Sequence, residues 1–155
     1  MSITTTTHLN FPGTARQALD FYQSVFGGTV VAATCGDLGM PADAPGADKI
    51  VFSQVENDHG FRVMAYDIPG QDTTDTSRTA GSTRRENGVT VTDRTFFQSV
   101  RGETLDEVTA IWNALAAGAD VVEPLAASPW SPGFGMLTDR FGVTWVIDVQ
   151  PARGA

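Results

Sequence analysis

Two segments of the chain carry hydrophobic residues at helical spacing, and the two segments share one pattern. The first runs from Thr14 to Gly28 and the second from Thr104 to Gly118. Each opens with a capping box, T-x-x-Q in the first and T-x-x-E in the second, and each closes at a glycine. The offset of 90 residues, without a gap, pairs similar residues on one face: Ala18 with Val108, Phe21 with Ile111, Tyr22 with Trp112 and Val25 with Leu115. The pattern therefore predicts an internal repeat.

Short stretches with a strand-like pattern surround each predicted helix. In the first half they are residues 6–11, 29–34, 49–56 and 61–68, and in the second half 95–101, 120–124, 135–138 and 143–149. Turn residues at 57–60 and 139–142 predict a hairpin between the last two strands of each half. A polar stretch at residues 69–93 joins the halves. The chain therefore predicts a β-α-β-β-β module that occurs twice.

Side chains of a strand alternate between its two faces, so each strand should turn large apolar residues toward the helix and leave the other face open. In the first strand Leu9 and Phe11 fit the helix side, which turns His8 and Asn10 to the other face. In the last strand Trp145 fits the helix side together with its alternating neighbours. This leaves Thr144, Val146 and Asp148 for its other face. Matching the first strand of the second half to that of the first half places Phe97 and Ser99 opposite His8 and Asn10.

The composition narrows the classes of partner. The chain has 155 residues, 41% hydrophobic and 18% charged, and no apolar run approaches the roughly 20 residues that span a bilayer. Its formal net charge of −8 repels phosphate backbones, which argues against nucleic acid. Cys35 is the single cysteine, and the N-terminus lacks a basic stretch followed by an apolar one. We therefore expect a soluble, cytoplasmic protein that binds neither nucleic acid nor membrane.

Several runs of residues resemble one protein family. In the first half they are residues 9–13 (LNFPG), 18–22 (ALDFY) and 25–28 (VFGG), and in the second half Trp130, Phe134-Gly135 and 139–145 (DRFGVTW). With these runs the chain resembles the vicinal oxygen chelate superfamily, which includes glyoxalase I, extradiol dioxygenases and bleomycin-resistance proteins. Within it, the chain is most similar to the PhnB-like branch. The resemblance covers nearly the whole chain except residues 71–90.

The resemblance implies an α+β fold in which two β-α-β-β-β modules form a U-shaped mixed sheet around a cleft, commonly within a homodimer. We expect a single domain over residues 1–155, with module one at 1–70, a connector at 71–92 and module two at 93–150. Members of this branch are often labelled as similar to a ubiquinone-pathway methyltransferase. The turn at residues 11–14 does not support that label, because it lacks the glycine-rich form of a doubly wound nucleotide-binding fold.

The resemblance also implies where a metal would bind. Metal enzymes of the superfamily place a His or Gln on the first strand of each module and a Glu on the last strand. His8 has the right parity, but the matching positions of the second module hold Phe97 or Thr95 and Val146. In the last strand of the first module, Asp67 is the remaining candidate. Because a divalent ion needs several N or O ligands, the sequence predicts no metal site and no cofactor.

Three functions remain open. The first is metal-independent binding of a small, partly aromatic molecule in the cleft. Its expected ligand contacts are His8, Asn10, Phe97, Ser99, Trp130, Phe134, Thr144 and Val146. The alternative is an enzyme of the superfamily, either a metal-assisted lyase, isomerase or dioxygenase that uses His8, or a metal-free catalyst that uses His8 and Asp148. The third is a module that serves mainly for dimerisation or interaction.

Three of these side chains have a second interpretation. His8 could hydrogen-bond a ligand or be an exposed strand residue without a role. Trp130, held between two Ser-Pro pairs, could line the pocket or plug the core at a loop corner. Asp148 could act as a base or be an exposed carboxylate near the C-terminus. The other two tryptophans, Trp112 and Trp145, are expected in the core.

Overall fold

The computed structural model describes residues 2–71 and 82–150, and the chain divides into two compact units, Met1–Thr74 and Asp75–Ala155. The elements of the first unit are β1 (Thr7–Phe11), α1 (Ala15–Phe26), β2 (Thr29–Thr34), β3 (Ile50–Glu56) and β4 (Arg62–Asp67). Those of the second unit are β5 (Arg84–Glu86), β6 (Val89–Val91), β7 (Gln98–Gly102), α2 (Leu105–Ala116), β8 (Asp120–Ser128), β9 (Ser131–Thr138) and β10 (Thr144–Val149). No helix within the described residues is long and apolar enough to cross a bilayer.

Each unit contains a four-stranded mixed sheet with the same strand order. The order is β1-β4-β3-β2 in the first unit and β7-β10-β9-β8 in the second. In both sheets the first strand pairs in parallel with the last, and the other neighbours are antiparallel. The predicted repeat of a β-α-β-β-β module and the α+β fold class are therefore confirmed. The arrangement of both modules as a single domain stays a prediction.

Helix α1 buries one face on the first sheet, as its apolar pattern predicts, and packs on β2, β3 and β4. Its fully buried residues are Ala15, Ala18, Leu19 and Tyr22. The helix ends at Gly27, whose φ of 73° lies in the left-handed region that glycine adopts without strain. The predicted glycine stop is therefore confirmed.

The N-terminus of α1 differs from the sequence prediction. The side chain of Thr14 makes no capping hydrogen bond, so the T-x-x-Q box is wrong for this helix. Its place is taken by Asp67, whose Oδ1 accepts a hydrogen bond from the Ala15 amide at 2.9 Å. The other oxygen of Asp67 accepts from the Ile50 amide at 2.8 Å. A carboxylate from the end of β4 thus caps the helix and fixes the start of β3.

Helix α2 forms the capping box that its sequence predicts. The Glu107 amide donates to Thr104 Oγ1 at 3.2 Å, and the Thr104 amide donates to Glu107 Oε2 at 3.2 Å. The helix buries Val108, Trp112 and Leu115 against the second sheet.

Glycine and tryptophan side by side build the core of the second unit. A Cβ placed on Gly135 would lie 2.6 Å from the Trp112 ring, so glycine is what lets helix and sheet approach this closely. Trp145 is 1% exposed and donates from its indole Nε1 to Asp139 Oδ2 at 2.9 Å. The prediction that Trp112 and Trp145 are core residues is therefore confirmed.

Two segments of the second unit are more regular than the sequence predicted. Residues 84–91, placed in the connector, form the antiparallel hairpin β5–β6. Strands β8 and β9 extend to a tight turn at Pro129-Trp130, whereas they were expected to stop and start at residues 124 and 135. The sequence predicts a strand end at Pro124, but this residue lies where the pairing of β8 with β9 shifts register. Such a bulge tolerates a residue without an amide donor.

Candidate functional site

The face of the first sheet that points away from α1 carries His8 and Asn10, as predicted. Both are exposed, while their neighbours Leu9 and Phe11 are buried at 4% and 2%. His8 Nδ1 lies 3.2 Å from Asn10 Oδ1, and the imidazole lies 6.1 Å from the Tyr66 ring, centroid to centroid. The hydrogen bond orients the imidazole on the surface of the sheet.

Strand register extends this face across the whole sheet. His8 lies beside Met64 on β4, Met64 lies beside Gln54 on β3, and Gln54 lies beside Val31 on β2. Large apolar side chains on it are exposed, with Val31 at 57% and Phe52 at 43%. We call this surface the first open face; its residues are His8, Asn10, Val31, Phe52, Gln54, Met64 and Tyr66. It combines the apolar side chains of Val31, Phe52 and Met64 with polar groups on the other four residues.

Strand register also corrects the match between the two modules. The Ile68 amide donates to Phe11 O at 2.8 Å, and the Gln150 amide makes the same bond to Gly102 O at 2.8 Å. Phe11 therefore corresponds to Gly102. It follows that His8 corresponds to Ser99 and Asn10 to Arg101, whereas the sequence comparison had matched them with Phe97 and Ser99. The match predicted from the sequence has the right parity but is two residues out of register, because β7 begins later than predicted.

The second sheet has an equivalent face turned away from α2. A Cβ on Gly102 would lie 2.7 Å from Val108 of the helix, so Gly102 faces α2 and Arg101 faces away. Asp148 on β10 lies between Arg101 on β7 and Phe134 on β9. In the next row Val146 lies between Ser99 and Met136 in the same way. We call this surface the second open face; its residues are Ser99, Arg101, Phe134, Met136, Val146 and Asp148.

The expectation that Asp148 is an exposed carboxylate is wrong. Asp148 is 7% exposed. Its Oδ1 forms an ion pair with Arg101 Nε at 3.2 Å. Among the described residues, this oxygen accepts no well-directed hydrogen bond. Arg101 also donates to Gln150 Oε1 at 3.1 Å. Asp148 lies between Arg101 and Phe134 in the sheet, and the guanidinium of Arg101 balances its buried charge.

The hairpin β5–β6 lies over the second open face. The guanidinium of Arg85 is 5.0 Å from the centre of the Phe134 ring, a cation–π contact. The same guanidinium donates from one terminal nitrogen to Thr90 Oγ1 at 2.9 Å, and Thr90 Oγ1 lies 3.5 Å from the Met136 sulfur. Arg85 Nε is buried and has no hydrogen-bond partner in the part of the chain that the structure describes. The hairpin thus brings a cation onto an aromatic and thioether surface.

Hydrogen bonds between side chains close the base of this hairpin. The Ser82 hydroxyl donates to Asp93 Oδ1, and the hydroxyl oxygens of Thr83 and Thr92 lie 2.8 Å apart. The bond from Ser82 lowers the pKa of the Asp93 carboxyl below its ordinary value of 3.8. The ionised form of Asp93 therefore favours the closed hairpin.

Trp130 is exposed and not a core plug. It is 59% exposed in the two-residue turn between β8 and β9, and its ring meets the Phe134 ring edge-on at 5.2 Å. Pro129 before it suits the second position of such a turn. Trp130 and Arg85 therefore contact the same ring, one from its edge and one over its face.

The remaining predicted contacts are placed less favourably. Thr144 is 8% exposed, and its hydroxyl oxygen lies 2.7 Å from that of Thr138. Phe97 is half-buried and precedes β7, whereas Ser99 is exposed and Val146 half-buried. A ligand-binding role for each of these four residues stays a prediction.

The metal site that the resemblance implies does not fit these residues. Beside His8, the last strand of the first unit offers Met64, and Asp67 turns to the helix side, where backbone amides occupy both its oxygens. The corresponding pair in the second unit is Ser99 and Val146. Across residues 2–71 and 82–150, no three His, Cys, Asp or Glu side chains form a group that could hold a metal ion.

Sequence reasoning missed Arg85 because residues 71–92 were treated as a connector. The signal was available, since Asn87-Gly88 between two short alternating runs is a strong hairpin motif. In the structure Asn87 has a φ of 50° and Gly88 a φ of 77°, as this type of turn requires.

A family model of the Glyoxalase/Bleomycin resistance protein/Dioxygenase superfamily matches residues 8–147 of the chain. None of the proteins of curated function matches it. A crystal structure of protein PA1353 from Pseudomonas aeruginosa is similar, with 27% identity and a TM-score of 0.71 over 97% of this chain and 100% of that one.

Two further solved structures share the fold. One is described as a putative 3-demethylubiquinone-9 3-methyltransferase, PhnB protein, from Bacillus cereus, with 23% identity and a TM-score of 0.67 over 96% of this chain and 100% of that one. The other is a glyoxalase-related enzyme from Fulvimarina pelagi, with 17% identity and a TM-score of 0.55 over 100% of this chain and 94% of that one. At these two identities, the similarity shows a shared fold alone.

Proposed function

Because the chain belongs to the glyoxalase/bleomycin resistance protein/dioxygenase superfamily, we propose that it is a PhnB-like protein that binds a small aromatic molecule without a metal. The observation that carries the proposal is the aromatic edge formed by Trp130 and Phe134 on the second open face. The Trp130 residue is 59% exposed beside a second aromatic ring, so much of its apolar surface is in contact with water, which is unfavourable. A flat ligand that stacks on the ring would bury this surface.

Polar groups around these rings support the same function. Ser99 is exposed on the second open face, and Arg101 and Asp148 form an ion pair in the row that contains Phe134. Small-molecule sites combine an apolar lining with a few polar groups that fix orientation, and this face has both. The donor atoms beside His8 are unsuited to a metal, which supports binding that does not depend on one.

The test is a thermal-shift screen with small aromatic metabolites and the probe 2-naphthamide, followed by calorimetry on each hit. We expect a bound compound to raise the Tm of the wild-type protein. In Trp130→Ala most of that rise should be lost, because the stacking surface is gone. Phe96→Ala is the matched control, since Phe96 is 58% exposed and takes no part in the aromatic pair. A screen in which no compound raises Tm, or in which both variants respond alike, counts against the proposal.

A second candidate is an enzyme that uses His8. The contact between His8 Nδ1 and Asn10 Oδ1 favours it, because a proton held on Nδ1 leaves Nε2 as a base. Asp148, the other catalytic candidate, is held in an ion pair with Arg101. Turnover of any bound compound by wild-type protein, lost in His8→Ala with binding retained, would favour the enzyme over the binding protein.

The methyltransferase name of the Bacillus cereus protein does not carry over to this chain. Methyl transfer from S-adenosylmethionine typically uses a doubly wound parallel sheet with a glycine-rich turn. Both four-stranded sheets described here are mixed, and the turn between β1 and α1 reads Pro12-Gly13-Thr14. We expect S-adenosylmethionine to leave the melting temperature unchanged.

We also propose that the protein is a homodimer, which the family resemblance implies, and that it acts in the cytoplasm, which its single cysteine fits. Light scattering coupled to size exclusion tests the assembly, because the chain has a mass of 16.5 kDa and a dimer doubles it. A monomer at micromolar concentration would contradict this part of the proposal.

A further inference from the structure

Arg85 is a cation whose charge is not balanced within the described part of the chain. Its contacts are the hydroxyl of Thr90 and the face of Phe134, and neither is charged. Its Nε is buried without a hydrogen-bond partner there. A buried donor without a partner is costly, and a guanidinium offers five N–H donors in a planar fork.

The other cations near Arg85 differ from it in this respect. Arg84, one residue earlier on the same hairpin, pairs with Glu86. Arg101, across the sheet, pairs with Asp148. The chain as a whole carries a formal net charge of −8, so a guanidinium without a charged partner among the described residues is a local exception over the second open face. The groups around Arg85 are therefore suited to an anion from outside the chain.

Resting on the function proposed above, we propose that the ligand is a small aromatic carboxylate, with its carboxylate on Arg85 and its ring against Trp130 and Phe134. Arg85 lies 5.0 Å from the Phe134 ring centre and Trp130 lies 5.2 Å from it, so one small molecule can reach both. Arg85 is half-buried, so part of the residue remains open to solvent. A carboxylate would accept from the N–H donors of the guanidinium and balance its charge.

The electrostatic setting limits the charge of this ligand. One guanidinium balances one negative charge, and the negative chain repels a polyanion such as a nucleotide triphosphate. The carboxylate of Asp148, which lies beside Phe134 in the sheet, is paired with Arg101, so its repulsion of the ligand is reduced. A singly charged carboxylate on a flat ring fits both limits.

The experiment compares 2-naphthoate with 2-naphthamide by calorimetry on the full chain, because these probes share their shape and differ in charge. Wild-type protein is expected to bind the acid at least about tenfold more tightly than the amide, as a hydrogen bond to a charged group would give. Arg85→Gln is expected to erase that preference while still binding the amide. Arg84→Gln, on the same hairpin, is the matched control and is expected to keep the preference.

The salt dependence gives a second measure that needs no variant. Raising sodium chloride should weaken binding of the acid to wild-type protein and leave binding of the amide unchanged. Equal affinity for the two probes, or a preference that survives in Arg85→Gln, overturns the assignment to Arg85 while the binding function stands. If neither probe nor any other aromatic compound binds, the binding function falls and this inference falls with it.

Discussion

The carboxylate of Asp67, at the end of β4, caps helix α1 by accepting the Ala15 amide at 2.9 Å across a sequence separation of 52 residues. Its second oxygen accepts the Ile50 amide at 2.8 Å. One side chain thus ties together the helix and two strands of the first sheet. Because both oxygens are occupied on the helix side, Asp67 is unavailable as a ligand on the first open face.

Replacing Asp67 by Asn should destabilise the protein. The amide nitrogen of Asn would face a backbone donor in place of a carboxylate oxygen, and the charge at the helix N-terminus would be lost. We expect a loss of about 2 kcal/mol in the free energy of unfolding, measured by urea denaturation. Asp20→Asn is the control, because Asp20 forms an exposed pair with Arg16 on the same helix. Equal effects of the two substitutions would contradict the long-range cap.

The two N-cap threonines provide a matched pair of variants. Thr104→Ala removes an acceptor that the Glu107 amide uses, so it should cost about 1 kcal/mol of unfolding free energy. Thr14→Ala removes a side chain that makes no capping hydrogen bond, so its effect should stay within about 0.5 kcal/mol. Denaturation curves of the two variants measure the difference. A larger loss for Thr14→Ala would show that this threonine caps α1 in solution.

These caps show how far the sequence could predict the fold. Periodicity identified both helices, their glycine stops and the repeat, because packing of an apolar face is a local pattern. It also identified the faces of Leu9 and Trp145, which are buried as expected. The T-x-x-Q motif failed in α1 because the competing acceptor, Asp67, lies far away in sequence. No local pattern contains that information.

The candidate site was less accessible to sequence reasoning than the fold. His8 and Asn10 were placed on the correct face by parity alone. The register between modules was not, because the strand preceding α2 begins later than its composition indicates. The sequence does not predict a role for Arg85, because this residue lies in the predicted connector and contacts Phe134 of the sheet only in the folded chain. The burial of Asp148 depends on Arg101 and Phe134, which only strand pairing brings beside it.

The mismatch at the metal positions leads to a prediction about composition. Protein purified without chelator should contain no stoichiometric divalent ion by elemental analysis, because Met64 lies beside His8 and Val146 beside Ser99. Addition of zinc, nickel or manganese should change the melting temperature of neither the wild-type protein nor His8→Ala. One equivalent of a bound ion that disappears in His8→Ala would contradict the prediction and favour a metalloenzyme.

The hairpin that carries Arg85 should depend on pH through Asp93. The Ser82 hydroxyl lowers the pKa of Asp93 in the folded state, so this group favours the closed hairpin above its unfolded-state pKa, near 3.8. That contribution is lost as pH falls through the lower folded-state pKa. Carboxyl NMR should therefore give Asp93 a midpoint below 3.8 in wild-type protein and a higher one in Ser82→Ala. Equal midpoints in the two proteins would show that this hydrogen bond does not hold the hairpin closed.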